Sequence, residues 1–298
     1  MSNYSIKDLE HLSGIKAHTI RIWEQRYNFI KPSRSETNIR SYDDLDLKLI
    51  LNVSLLKDNG FKISHIADMS SQEIAEEVLL LTEKHLRFPE QIHALTLAMI
   101  DMDEDRFEKI MSSNILKLGF EKTMLNIVYP FLSKIGVLWQ TGSITPAQEH
   151  FISNLIRQKL IVAIDGQYSS EYTNAKKYLL YLPEGELHEL SLLFADYVIR
   201  SRHNKSIYLG QSLPLQDLVS VYNLHKPKFI LSILTSVPGI DQVQGYVDKL
   251  SGLFPESTIL LSGYQVIGQD IQTPDNVIIF TRSEQITSFV EEHNAEVQ

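Results

Sequence analysis

The chain has 298 residues, of which 43% are apolar and 22% charged, a composition ordinary for a globular protein of two or three domains, each able to bury a core. It contains no cysteine, which removes disulfides, thiolate metal sites and cysteine nucleophiles. A formal net charge of -9 argues against non-specific nucleic-acid binding by the whole molecule. Met1-Ser2-Asn3-Tyr4 runs into Asp8 and Glu10 without an apolar signal core, and no apolar run approaches the ~20 residues that span a bilayer. A cytoplasmic protein with no membrane partner is expected.

Charge is unevenly distributed near the N-terminus. Between Lys16 and Arg40 the basic residues Lys16, Arg21, Arg26, Lys31, Arg34 and Arg40 meet only Glu24 and Glu36, so a local positive face sits in an acidic chain. Ser5 is placed to cap a first helix with Asp8 three residues on, Ile6, Leu9 and Leu12 mark its apolar face, and Gly14 ends it. A second helix through Thr19-Ile20-Arg21-Ile22-Trp23-Glu24 puts Ile20, Trp23 and Tyr27 on the inner side and His18 and Arg21 outside. The pattern is that of a helix-turn-helix. Turn formers from Pro32 to Tyr42 suggest a hairpin wing carrying Arg34 and Arg40, after which Asp43 caps a helix ending at Gly60.

Helical periodicity resumes from Glu90 to about Asp165. Four segments are predicted: Glu90 to Met102, Asp103 to Leu118, Phe120 to Gln140, and Thr145 to Asp165, the last opened by Thr145 as cap and Pro146 as first helical residue. Short polar turns between them imply a bundle. Trp139 closes the third segment, and Glu149 and His150 fall in the first turns of the fourth.

The stretch Gln167 to Lys177 reads as a polar linker. Strand-like runs follow at Tyr178 to Leu182, Ser206 to Leu209, Phe229 to Leu234, Thr258 to Leu261 and Val277 to Phe280, separated by amphipathic stretches of helix length. A flavodoxin-like doubly wound parallel sheet is predicted, with its ligand crevice beyond the carboxyl ends of strands one and three. His188, Ser232 to Ser236, and Ser262-Gly263 fall at such ends. Glu186 stands two residues before His188, where a carboxylate can take one ring N–H, fix the tautomer and raise the basicity of the other nitrogen toward a metal. Imidazole suits a borderline transition metal such as cobalt.

Two resemblances follow from these residues. Thr19-Ile20-Arg21, Trp23-Glu24, Arg26-Tyr27, Pro32, Arg34, Arg40 and Tyr42 resemble the winged-helix DNA-binding domain of MerR-type transcription regulators. That implies homodimers on double-stranded promoter DNA, with His18, Thr19 and Arg21 facing the major groove and Arg34, Arg40 and Tyr42 on phosphate, and Arg26 in the same DNA-binding face. The spacing of Trp139, Glu149 and His150 resembles the cap motif of light-sensing, cobalamin-dependent MerR-type repressors, often called CarH-like or LitR-like. Glu186-x-His188 resembles the cobalamin ligand loop, Tyr208-Leu209-Gly210 with Pro214 a second-strand turn, and Ser232-x-Leu234 the nucleotide-tail contact. Ser191 and Ser262-Gly263 stand where that pattern has glycines, and Gln140 where some light-responsive members have a second histidine.

The resemblance implies adenosylcobalamin as cofactor. His188 would ligate its cobalt, Trp139, Glu149 and His150 would pack over the adenosyl face, and Glu186, Ser232, Leu234, Ser262 and Gly263 would complete the site. It also implies a repressor and photoreceptor whose dimers become tetramers on DNA. The expected organisation is a winged-helix domain at 1–75, a four-helix cobalamin cap at 88–166 and a Rossmann-like cobalamin-binding domain at 177–298. The alternative is a MerR-type regulator whose degenerate cobalamin domain binds another small effector or serves only in oligomerisation. No paired-acid, serine-triad or phosphate-loop pattern is visible, so an enzyme is not expected.

Overall fold

A computed structural model describes residues 4–27, 30–34, 40–84, 88–140, 144–167 and 175–295. The chain divides into two compact units, Met1–Asn154 and Leu155–Gln298.

The first unit opens with helix α1 (Ile6–Ser13), whose N-terminus carries the predicted reciprocal cap between Ser5 and Asp8 and whose end turns at left-handed Gly14. Helix α2 (Ala17–Tyr27) buries Ile20 and Trp23; Tyr27, expected on the same face, is half-buried. Strands β1 (Ser33–Arg34) and β2 (Arg40–Ser41) pair antiparallel as the base of the wing, whose tip lies outside the described residues. Asp43 caps α3 (Asp44–Asp58) through the amides of Leu45 and Asp46. The wing is tied back to the N-terminus by a bridge between Tyr4 and Tyr42.

Two helices escaped sequence reading, α4 (Ile63–Ala67) and α5 (Ser71–Lys84). Four residues separate α3 from α4 and three separate α4 from α5, which buries Ile74 and Val78 on one face. The bundle helices then follow as α6 (Phe88–Asp101) and α7 (Glu104–Leu118), divided by the Asp103 cap. The third predicted segment is three pieces: α8 (Phe120–Thr123), a π-helical turn (Met124–Val128) and α9 (Tyr129–Gln140). Pro130 explains the widened turn, because it has no N–H to bond the carbonyl of Asn126 and its ring would clash there in a regular helix. Helix α10 (Pro146–Asp165) begins at the predicted proline. Within this unit Lys48 of α3 pairs with Asp101 at the end of α6.

The second unit is a five-stranded parallel sheet in the order β4-β3-β5-β6-β7, the flavodoxin-like order predicted. Its strands are β3 (Lys177–Pro183), β4 (Lys205–Leu213), β5 (Phe229–Ile233), β6 (Thr258–Ser262) and β7 (Val277–Ile279). Helices α11 (Leu190–Ser201), α12 (Leu215–His225), α13 (Ile240–Leu253) and α14 (Glu284–Ala295) alternate with them. Strands β3 and β5 are buried on both faces, which is why they read as continuous apolar runs. One face packs Leu179, Ile230, Ile259 and Leu261 against Leu218, Val243, Val247 and Leu250. The predicted linker falls largely outside the described residues.

Gly263 is the tightest point of the sheet's carboxyl edge. Its φ is 107°, and a Cβ there would sit 2.4 Å from the Leu234 carbonyl oxygen. Backbone bonds from Leu234 to Ser262 and from Gln265 to Leu234 draw the β5 and β6 loops together. Gly263→Ala is expected to cost about 2 kcal/mol or more through backbone strain and this collision, read as an earlier unfolding midpoint of the intact chain in urea.

Candidate cofactor site and nucleic-acid interface

The exposed side of α2 follows from the capping and burial of α1 to α3. With Ile20 and Trp23 turned inward, His18, Arg21 and Arg26 are exposed on α2 and Thr19 half-exposed, its hydroxyl 3.3 Å from the His18 ring. Glu24 organises the wing. Its two oxygens take Arg34 at 3.3 Å and Arg40 at 2.9 Å, so both wing arginines are held against the second helix. Arg34 remains 45% exposed, Arg40 only 23%.

Tyr42 requires a correction. It is fully buried, its hydroxyl enclosed without a hydrogen-bond partner, so this side chain has no face from which to reach phosphate. Burial pushes its phenol up to about 12, aided by Glu24. Its role in the structure is to pack the base of the wing beneath Arg40 and Ser41.

The second site is built on the loop leaving β3. Gly185, with a left-handed φ of 86°, turns the chain, and its amide donates to the hydroxyl oxygen of Ser212 at the end of β4 at 3.0 Å. Glu186 is buried at 0% exposure. One carboxylate oxygen accepts the amides of Leu187 and His188 at 3.0 and 3.1 Å and the His188 Nδ1 at 2.6 Å. The other accepts the amides of Thr235, Ser236 and Val237 at 3.0, 2.6 and 3.1 Å, and the Ser236 hydroxyl adds a further bond. This stitches the loop after β3 to the loop after β5, the two ends where a ligand crevice was predicted.

Burial alone would push the Glu186 carboxyl up, but the Ser236 amide, the His188 ring and amide and the Val237 amide outweigh it and bring it down to about 2. The group is therefore an anion, and an anion can only accept. It follows that His188 Nδ1 carries a proton and donates it, so that in the neutral ring the lone pair is on Nε2, and the ring is 65% exposed. Ser236, Thr235 and Val237 were not singled out individually by sequence, because all three act through backbone amides that carry no residue signature, Ser236 adding its hydroxyl.

The remaining expected residues are placed as follows. Ser232 and Leu234 are fully buried at and just past the end of β5. Ser232 Oγ has no hydrogen bond of normal geometry among the described residues, although it lies close enough to the Tyr181 phenol to bear on its proton. Ser262 donates to the Phe280 carbonyl at 2.9 Å, next to Gly263. In the first unit, Glu149 takes the His150 Nδ1 at 2.7 Å and the Ser153 hydroxyl at 2.5 Å, with His150 itself 71% exposed. Trp139 lies in the last turn of α9, but its side chain falls outside the described residues.

Residues 4–73 match the MerR HTH family regulatory protein and residues 91–163 the B12 binding domain. The chain joins a MerR-type helix-turn-helix domain to a B12-binding domain. It is homologous to the HTH-type transcriptional repressor CarH of Myxococcus xanthus, 27% identical over 76% of this chain and 77% of the relative. The repressor CarA of the same organism is 26% identical over 72% of this chain and 70% of its own length. Among solved structures, the monomethylamine corrinoid protein of Methanosarcina barkeri superposes with a TM-score of 0.55 over 67% of this chain and 96% of that one, at 12% identity, a likeness of fold.

The residues present fit a corrinoid. A proton-fixed imidazole offers one nitrogen to a metal, and among the described residues no group of three His, Cys, Asp or Glu side chains could hold a bare ion. His188 would be the single side-chain donor to the cobalt of such a group, whose remaining ligands the cofactor would bring with it.

The Glu186 contacts also predict an acid transition. A carboxyl lowered from 4.5 to about 2 on folding contributes stability that is fully present above pH 4.5 and is lost as pH falls toward 2, on the order of 3 kcal/mol at full extent. Acid titration of the intact chain by circular dichroism should show this loss, and Glu186→Gln should start less stable at neutral pH and lack that part of the acid dependence.

Proposed function

We propose that this chain is a transcriptional regulator, of repressor type, whose grip on promoter DNA is set by cobalamin bound at His188. The observation that carries this reading is the Glu186–His188–Ser236 arrangement: a buried anion fixes the imidazole with Nε2 outward at the carboxyl edge of a flavodoxin-order sheet. When bound, cobalamin would supply cobalt chemistry, and His188 would be the residue that holds the metal through Nε2. Ser232, with its buried hydroxyl, and Leu234, Ser262 and Gly263 are the proposed contacts for the rest of the cofactor, and Trp139, Glu149 and His150 are proposed contributors from the helical segment.

The adenosyl form is the proposed ligand, since a large upper substituent gives the helical residues something to contact. On this reading cofactor occupancy shifts the chain between smaller and larger homo-oligomers, and the larger ones hold DNA by avidity. Driving such an equilibrium nearly to completion takes about 5.5 kcal/mol of differential binding, within reach of a large buried cofactor. Light sensitivity belongs to the same proposal through the cobalt–carbon bond. At the DNA end, His18, Thr19 and Arg21 are proposed to read bases, while Arg26, Arg34 and Arg40 meet phosphate, with Glu24 directing the two wing arginines.

Two experiments test this. Titration of the purified chain with adenosylcobalamin in the dark should produce a saturable change in the visible spectrum that His188→Ala abolishes or displaces; an identical spectrum in that variant would remove His188 from cobalt. Arg34→Ala should weaken binding to every duplex alike and reduce the magnitude of the log-log salt slope by about 0.9, whereas a loss confined to one sequence would place Arg34 at a base edge.

A further inference from the structure

A second buried carboxylate lies one residue past His188. Glu189, 7% exposed, occupies the N-terminal boundary of α11, and its two oxygens are held from two different elements. One takes the guanidinium Nε of Arg157, on α10; the other takes the Tyr208 hydroxyl of β4 at 3.1 Å. Burial and the neighbouring Glu189 push the Tyr208 phenol well up, so it stays protonated and donates. The end of β4 holds the rest of the loop: Gln211 Nε2 reaches the Leu187 carbonyl at 2.5 Å, and the Ser212 amide the Glu186 carbonyl at 3.2 Å.

His188 therefore sits between two anchored anions. Glu186 fixes its ring, and Glu189 fixes the backbone on its other side. Arg157 is itself 47% exposed, so its ion pair adds little to global stability in water. Its effect is local. Without the guanidinium, a buried anion keeps one hydroxyl donor, and the way for it to recover solvation is to swing outward, carrying the adjacent His188 backbone with it.

We infer that Arg157 is a positioning residue for His188: through Glu189 and Tyr208 it sets the direction from which the imidazole offers Nε2, and so the strength of axial ligation to a corrinoid cobalt. The inference rests on the reading of His188 given above. The part of α10 that belongs to the second unit thereby has a polar connection to the ligand loop.

The test uses the full chain labelled with 15N-histidine and loaded with cob(II)alamin, read by electron paramagnetic resonance. A histidine-ligated cobalt then gives a nitrogen doublet, distinct from the triplet of the cofactor's own tail. The wild type should show the doublet and His188→Ala should lose it. Arg157→Met should retain its melting curve yet bind cobalamin about tenfold or more weaker, with much of the doublet gone, and Arg157→Lys should recover most of both. Without cofactor, the Leu187 and His188 amides should exchange about tenfold faster in Arg157→Met, while Arg202→Met, which breaks the distant pair with Glu291, leaves them unchanged.

Wild-type affinity and doublet in Arg157→Met, or a lysine variant no better than methionine, would overturn the inference. A wild type lacking the doublet, or one kept by His188→Ala, would instead overturn the reading of His188 and the inference with it. Should Arg157→Met melt early, Tyr208→Phe removes the other bond to the same carboxylate and is held to the same outcomes.

Discussion

One buried anion organises the sheet's carboxyl edge. Glu186 has no solvent to stabilise its charge, so its oxygens must be filled by donors, and the donors available are the amides of two loops and one imidazole. Hydrogen bonds to a charged group stabilise by roughly 1.5–3 kcal/mol each, which is enough to hold the loop after β3 against the loop after β5. The same requirement dictates the imidazole's tautomer. The joining of these two loops and the position of the proton on the His188 ring are thus consequences of a single desolvated carboxylate.

A comparable economy operates in the first unit. Glu24 draws in Arg34 and Arg40, so the positive face of the wing is directed by an acid that the sequence shows only as a minority charge. The bound arginines are partly neutralised in the free protein and would exchange some of this attraction for phosphate on binding. Tyr42 and Tyr4 hold the base of that wing from below, through a backbone bridge and burial.

Much of this was legible in sequence because the signals were strong and local. Ser5 with Asp8, Asp43 with Asp46, Gly14 and Pro146 mark helix ends through hydrogen bonds and dihedral preferences that act within one turn. The inner strands β3 and β5 announced themselves because a strand covered on both faces must be apolar throughout, whereas β4 and β7, with exposed positions, gave shorter apolar runs. Glu186 and His188 were readable as a pair for the same reason, being two residues apart. What could not be read were effects that depend on tertiary placement: the burial of Tyr42, the amides of Thr235 to Val237, and the Arg157–Glu189–Tyr208 group, whose members are spread over three elements. The π-helical turn was an intermediate case, since Pro130 was in plain view inside a segment read as one helix. Only α4, at five residues, lacked the length that makes periodicity persuasive; the 14 residues of α5 were passed over.

The account's central claim is that cofactor at His188 governs assembly. Size-exclusion chromatography of the full chain in the dark, with absorbance recorded for protein and corrin together, measures this directly. With adenosylcobalamin the corrin absorbance should travel with a species larger than the cofactor-free chain, and His188→Ala should leave protein at the smaller size with the corrin absorbance separate. Equal elution of wild type and variant, or corrin that never accompanies the wild-type protein, would contradict it.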